Sequence, residues 1–165
     1  MESMSFAKQR HLLAAGAHIA DFRLPLLDGG EAALRDLVAK GPALLAFFKV
    51  SCPVCQMSLP FLDRIRSSGS LPVYGVSQND VRDTRDFYRR LGLSLPCLLD
   101  SEEAGFVISN AFGISSVPTL FVIETDGSIG RVIEGWSKSE IQHLGELAGV
   151  KPFRPTDSVP EWKAG

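Results

Sequence analysis

The sequence predicts an α/β protein in which a central mixed β-sheet is sandwiched by helices, with an N-terminal β-hairpin extension. Three observations predict it. Strand and helix signals alternate along most of the chain. The apolar run Ala43 to Phe48 (ALLAFF) is continuous, as in a strand covered on both faces. Asp126-Gly127 separates two strand-like runs and is the strongest short hairpin signal present, so antiparallel strands must share the sheet with parallel ones. At 165 residues the chain is long enough to bury one core without disulfide staples. We expect a single domain over 1–150, of which 1–30 is a lead-in, and a proline-containing C-terminal tail over 151–165.

In the lead-in, Lys8 and Arg10 precede Leu12-Leu13-Ala14-Ala15, and Ala15-Gly16-Ala17 has the form of a signal cleavage site. The apolar stretch is short and flanked by His11 and His18, so a short amphipathic helix is expected there instead. Phe22, Leu24 and Leu26 then alternate with polar or proline positions before Asp28-Gly29-Gly30, which reads as an edge strand entering a hairpin.

After the ALLAFF strand a helix opens at Pro53, whose missing N–H suits the first helical position. Cys55, Leu59, Leu62 and Ile65 share one face before Gly69 stops it, and Pro60 is expected to kink it. Leu71 to Val76 completes a strand-helix-strand unit with a right-handed crossover. Asn79 or Asp80 caps the next helix, with Val81, Thr84, Tyr88 and Leu91 on one face. Its Arg82, Arg85, Arg89 and Arg90 alternate with Asp83 and Asp86, a solvated face with pairs such as Asp86 with Arg90 rather than an anion-binding patch.

Leu95 to Leu99 is a short strand, and Ser101 caps a helix with Glu102 and Glu103 in its first turn and Gly113 as its stop. Thr119 to Ile123 and Ile129 to Glu134 form the hairpin. Ser137-Lys138-Ser139-Glu140 is a capping box ahead of Ile141, Leu144 and Ala148, with Gly149 as the stop. Three prolines in the tail keep it from forming a helix or a central strand.

Seventeen basic against nineteen acidic residues leave a net charge of -2, so no basic surplus points to nucleic acid or an anionic membrane. No apolar run approaches the roughly 18 residues of a membrane span. The expected compartment is the cytoplasm, with the periplasm as the alternative.

Two of the three cysteines stand in Cys52-Pro53-Val54-Cys55, after a buried strand and at the start of a helix. A structural zinc site wants four ligands, usually from two such knuckles, and the chain offers one knuckle, a distant Cys97 and three scattered histidines. At the helix start, unsatisfied N–H groups and the helix dipole favour a Cys52 thiolate, with a pKa below the ordinary ~8.5. Cys55, one turn on and on the apolar face, is expected to be buried and less ionised. The spacing permits a two-step exchange: Cys52 attacks a disulfide, and Cys55 then attacks Cys52 to release the reduced product. Cys97, in Leu95-Pro96-Cys97-Leu98-Leu99, reads as a core cysteine rather than a second resolving thiol.

On these residues the chain resembles the thioredoxin superfamily, and within it the TlpA/ResA-type thiol-disulfide oxidoreductases grouped with the AhpC/TSA redoxins. Gly16-Ala17-His18-Ile19-Ala20-Asp21-Phe22 is similar to the G-x-x-A-P-D-F opening of that group. The ALLAFF strand leading to C-P-V-C, Pro60 after it, Val117-Pro118-Thr119 before a strand and the Asp126-Gly127 hairpin match in order and spacing. The resemblance covers Ala17 to Gly149. It implies a thioredoxin-like fold, a cis Pro118 lying against the C-x-x-C, and a Val117 whose backbone docks the substrate. Three positions depart from the family pattern: Ser51 replaces a tryptophan, Ala46 an acidic residue and Ser58 a glutamate. No obvious carboxylate is then left to take the Cys55 proton. Lys49 is the one charge close in sequence to Cys52, either stabilising its thiolate or reaching to solvent from the strand end.

The implied function is thiol-disulfide exchange through Cys52 and Cys55, serving cell redox homeostasis and antioxidant activity. No cofactor is implied. The partners expected are a disulfide-containing protein or small thiol, and an electron donor such as a thioredoxin reductase or another thiol-redox protein. One alternative is a peroxiredoxin-like thiol peroxidase using Cys52, although Lys49 and Leu45 fall where that family's P-x-x-x-(T/S)-x-x-C pattern needs threonine or serine and proline. The other is a non-catalytic module that binds a metal or a partner through the same cysteines.

Overall fold

A computed structural model describes residue 6 and residues 8–165; the remaining lead-in positions, 1–5 and 7, lie outside the described residues. Strands β1 (Arg23–Pro25) and β2 (Glu31–Ala33) pair antiparallel as the expected hairpin. A four-residue helix the sequence did not signal, α1 (Leu34–Leu37), follows directly. Next come β3 (Ala43–Phe48), α2 (Pro53–Ser68), β4 (Val73–Ser77), α3 (Val81–Leu91) and β5 (Cys97–Leu99). A 3₁₀ turn, Glu102–Ala104, leads into α4 (Val107–Phe112). Strands β6 (Thr119–Ile123), β7 (Ile129–Glu134) and β8 (Trp136–Ser137), helix α5 (Lys138–Ala148) and strand β9 (Trp162–Lys163) complete the order.

Five strands form one mixed sheet in the order β5-β4-β3-β6-β7. The β3–β4 and β4–β5 pairs are parallel, and β3–β6 and β6–β7 antiparallel. Strand β3 is central and every residue in it is buried. Successive side chains of a strand point to opposite faces, so Phe47 and Phe48 anchor different layers. Phe47 packs on Phe112 of α4 and Phe121 of β6, with ring centroids 5.1 and 5.7 Å away. Phe48 stacks on Phe87 of α3 at 5.3 Å. Truncating one of these phenylalanines costs roughly 3–5 kcal/mol in a packed core, so the two contacts fix helices on both sides of the sheet.

Several local expectations are corrected. The helix expected around Leu12 to Ala17 does not form. Six apolar residues are too few to offset helix nucleation, and the backbone pairs with the body instead: Leu13 N–H donates to the Phe112 carbonyl (3.0 Å) and Gly16 N–H to that of Ile129 (2.8 Å). On α3 the buried face runs through Thr84, Phe87 and Tyr88, while Val81 is exposed. Asp86 pairs with Arg89 at 3.1 Å, not with Arg90. Asp80 rather than Asn79 caps that helix, accepting from Asp83 N–H at 2.8 Å. The capping box is half made: Ser137 accepts from Glu140 N–H, but the Glu140 carboxylate is turned to Arg131.

The helix expected from Ser101 is split. Gly105 and Phe106 both adopt left-handed φ, 75° and 49°, which breaks the run, and Ser101 makes no side-chain cap. Asp100 takes over: its carboxylate, fully buried, accepts N–H bonds from Ile108 (3.2 Å) and Ser109 (2.6 Å) at the start of α4. Asp100→Ala leaves both amides without that acceptor and is expected to lower stability by about 1–3 kcal/mol. Asp100→Asn keeps one acceptor oxygen and loses less. Urea midpoints at unchanged slope measure both, and equal losses in the two variants would count against the capping role.

Candidate active site

The site begins where β3 stops. Beyond Phe48 the chain leaves the sheet, and two side chains grip the backbone of Val50. Its N–H donates to Asn79 Oδ1 (3.0 Å), and its carbonyl accepts from Gln56 Nε2 (2.9 Å). Asn79 is held in turn, donating its own N–H to Ser77 Oγ (3.0 Å), and the Ser77 hydroxyl pairs with that of Thr84 at 2.7 Å in the interior. Cys52 N–H then closes the turn on the Lys49 carbonyl at 3.2 Å.

Cys52 is the N-cap of α2, with Pro53 at the first helical position as expected. Its sulfur accepts the Cys55 N–H at 3.1 Å and its thiol donates to the Val117 carbonyl at 3.4 Å. These two contacts differ chemically. The amide donor serves the sulfur as thiol or thiolate, whereas the carbonyl accepts only from the protonated form. Cys52 is partly exposed and Cys55 has no exposed surface. Both are free thiols. The Val117–Pro118 peptide is cis, and the Pro118 carbonyl accepts from Gly135 N–H at 2.8 Å. Two separate stretches of chain, 52–55 and 117–118, thus meet at one sulfur, and Gly135 braces the second.

Burial pushes the Cys55 thiol above its ordinary value, and the hydrogen bond from the Cys52 side chain adds to the rise. Burial likewise raises Cys97 to about 12, with the neighbouring Tyr88 pulling the other way. Cys97 lies on β5, the sheet edge two strands from β3, and is buried. The first turn of α2 carries no acidic residue, and Ser58, where the family has glutamate, donates its hydroxyl to the Val54 carbonyl at 2.6 Å.

Of the residues singled out in the sequence, Cys52, Cys55, Val117 and Pro118 are brought together. Lys49 meets Cys52 through its backbone. Its side chain is exposed and lines a cavity of about 100 Å³ with Gln78, Ile114, Ser115, Ser116 and Val117. Among the described residues no group of three His, Cys, Asp or Glu side chains is placed to hold a metal ion. Sequence reasoning missed Asn79 and Gln56 as supports of the Cys52 turn. Asn79 competed with Asp80 for the cap, and Gln56, directly after the motif, carries no sequence signal of its own.

A C-x-x-C capping a helix beside a cis-proline loop, on a mixed sheet with helices on both faces, defines the class: a thioredoxin-like redox protein. The AhpC/TSA family profile matches residues 15–132, and the chain belongs to that family. It is 29% identical over 153 residues to the thiol-disulfide oxidoreductase ResA of Halalkalibacterium halodurans, covering 90% of this chain and 84% of that protein. The ResA of Geobacillus thermodenitrificans is 27% identical over the same shares. Among solved structures, the exposed lipoprotein thioredoxin of Streptococcus pneumoniae superposes with a TM-score of 0.62 at 28% identity, over 78% of this chain and 100% of that one.

The raised thiols tie stability to pH. Folded, Cys97 keeps its proton up to about 12, and Cys55 shifts in the same direction. Unfolded, both ionise near ~8.5. Their contribution is therefore intact below the unfolded value and drains away as pH rises from there toward the folded one. Tyr74 and Tyr88, both raised by burial, act in the same sense at higher pH. The urea midpoint of the reduced protein should fall between about pH 8 and pH 10, and fall less in Cys97→Ala. An identical pH slope in the two proteins would contradict this account.

Proposed function

We propose that Cys52 and Cys55 carry out thiol-disulfide exchange, as the ResA relatives' name indicates for them. The observation that carries the reading is the contrast between two thiols one helical turn apart. The Cys52 sulfur is partly exposed and faces the Val117 carbonyl, and Cys55 is sealed beneath it with its N–H on the same sulfur. The Cys52 thiolate attacks one sulfur of a substrate disulfide. That S–S bond breaks, and the second substrate sulfur leaves as a thiolate and takes a proton. Cys55 gives up its proton and attacks Cys52, the mixed disulfide breaks, and the other substrate thiol departs. Two electrons have then passed to the substrate and a Cys52–Cys55 disulfide remains. A thiol-redox donor, of which thioredoxin reductase is one type, restores the dithiol.

The substrate class is a disulfide-containing protein or small thiol, with the Val117 backbone as docking edge and Pro118 setting its direction. Lys49, on the rim of the adjoining cavity, is suited to acidic groups flanking the disulfide. Likeness to an exposed lipoprotein thioredoxin supports the periplasmic alternative for the compartment. Residues 1–150 act as the catalytic domain, and 151–165 as an appended segment packed against it.

Cys52→Ser should abolish reduction of insulin disulfides. Cys55→Ser should accumulate a mixed disulfide with the substrate, visible by mass on non-reducing separation, because the first step survives and the second does not. A peroxide-consumption assay run beside them separates the rival chemistry. Cysteine-dependent loss of peroxide without disulfide reduction would replace this reading with a thiol peroxidase.

A further inference from the structure

Residues 151–165 follow a defined course over the active-site helix. Phe153 packs on Phe61 of α2 and on Trp136, with ring centroids 5.2 and 6.1 Å away. Arg64, also on α2, bonds to the Pro152 carbonyl (3.2 Å) and to the Asp157 carboxylate (2.8 Å). The Pro160 carbonyl accepts from Trp136 Nε1 (2.6 Å), and that of Glu161 accepts from Lys138 N–H (2.9 Å). Up to Glu161 the segment is anchored by ring contacts, an ion pair and hydrogen bonds.

Beyond Glu161 the character changes. Residues 162–165 are all exposed, Trp162 by 65%, and two ladder pairs, Trp136 with Lys163 and Ser137 with Trp162, hold them. They nevertheless run to the docking edge. Gly165 stands against the Val117–Pro118 peptide so closely that a Cβ added to it would lie 2.8 Å from the Val117 carbonyl carbon and 3.3 Å from the Pro118 nitrogen. A Cβ on Gly135, whose N–H binds the Pro118 carbonyl, would meet Gly165 N at 3.0 Å. The Val117 carbonyl is the same group that accepts from the Cys52 thiol.

We propose that residues 162–165 are a strap that occupies the backbone edge at Val117 in place of a substrate. The inference rests on the oxidoreductase reading given above, and extends it to how that site is closed. An extended peptide beside a disulfide needs the Val117 backbone, and the strap, extended over Trp162–Lys163, brings Gly165 against that same backbone. Binding therefore requires its displacement, which breaks two ladder pairs and leaves the anchored part, 152–161, in place. A small disulfide that reaches Cys52 without pairing to Val117 does not need the displacement. The strap thus discriminates by the size of the partner.

The test is a chain stopped after Glu161, which keeps every anchor named above, and a second variant, Gly165→Val, whose side chain cannot fit against Val117. If the edge is open for roughly 10–30% of the time in the parent protein, insulin reduction should rise ~3- to 10-fold in the shortened chain. Reduction of oxidised glutathione should change less. Alkylation of Cys52 by an extended peptide carrying an iodoacetyl group, which must pair at Val117 to reach the sulfur, should quicken in both variants, read by mass after a timed quench. Unchanged or slower alkylation in the two folded variants would overturn the strap. Faster alkylation with no disulfide reduction by any of the proteins would uphold the strap and overturn the oxidoreductase reading instead. Faster alkylation with an equal gain on insulin and on oxidised glutathione would overturn the discrimination by size.

Discussion

Strand β3 is paired on both edges and covered on both faces, and the position of the Cys52 sulfur follows from that confinement. Its register is set twice, by parallel pairing from Leu44 with Val73 to Phe48 with Ser77 and by antiparallel pairing from Ala43 with Ile123 to Phe47 with Thr119. A one-residue slip would exchange Phe47 and Phe48 between the two layers and break both aromatic clusters. The chain therefore leaves the sheet at one point, and Cys52 follows after a turn of three residues. The antiparallel partner β6 starts at Thr119, so the same ladder that fixes where β3 ends also places Val117 and Pro118 beside that exit. The meeting of Cys52 with the Val117 carbonyl is thus a consequence of sheet register.

The two thiols illustrate how burial divides labour between identical side chains. Cys52 caps a helix, where its partly exposed sulfur accepts the Cys55 N–H. Cys55 lies under it with no exposed surface, and burial opposes its ionisation. With Ser58 where the family has glutamate, and its hydroxyl committed to the Val54 carbonyl, no carboxylate in the first turn of α2 shares the proton. In the mixed disulfide Cys52 no longer presents a thiol to Cys55, which removes one of the contributions that hold the Cys55 proton. In the exchange we propose, the Cys55 proton therefore leaves after the first step rather than before it.

The sheet and the cysteine pair were legible because their signals are local. ALLAFF, the two runs flanking Asp126-Gly127 and the helix opening at Pro53 each carry pattern and punctuation within a few residues, and β3, β6 and β7 occur where the patterns place them. The failures share a cause of the opposite kind. Ser101 and Asp100 are equally good caps by composition, and Asp100 wins because left-handed Gly105 and Phe106 displace the start of α4 beyond the reach of Ser101. Val81 and Phe87 both suit the apolar face of α3, and Phe48, far away in sequence, selects Phe87. Asn79 reads as a cap and serves as an acceptor for Val50, because the neighbouring Asp80 already supplies one. Each error is a choice between two adequate residues decided by a distant partner.

The proline-containing tail shows the same limit at the level of the site. Three prolines correctly exclude a helix or central strand, but nothing in 151–165 announces that Pro160 receives the Trp136 indole or that Asp157 receives Arg64. Trp136, Phe61 and Arg64 belong to β8 and α2, so the tail is bound by these elements up to Glu161, and its path past Gly135 leads to Val117. A docking edge made of backbone atoms is blind to sequence: any extended segment that reaches it can pair there. Selectivity at such an edge must come from what else a segment touches, or from competition for the edge itself. Here the cavity beside Val117 is lined by Lys49, Gln78, Ile114, Ser115 and Ser116, so what a segment touches there acts together with competition from the protein's own chain.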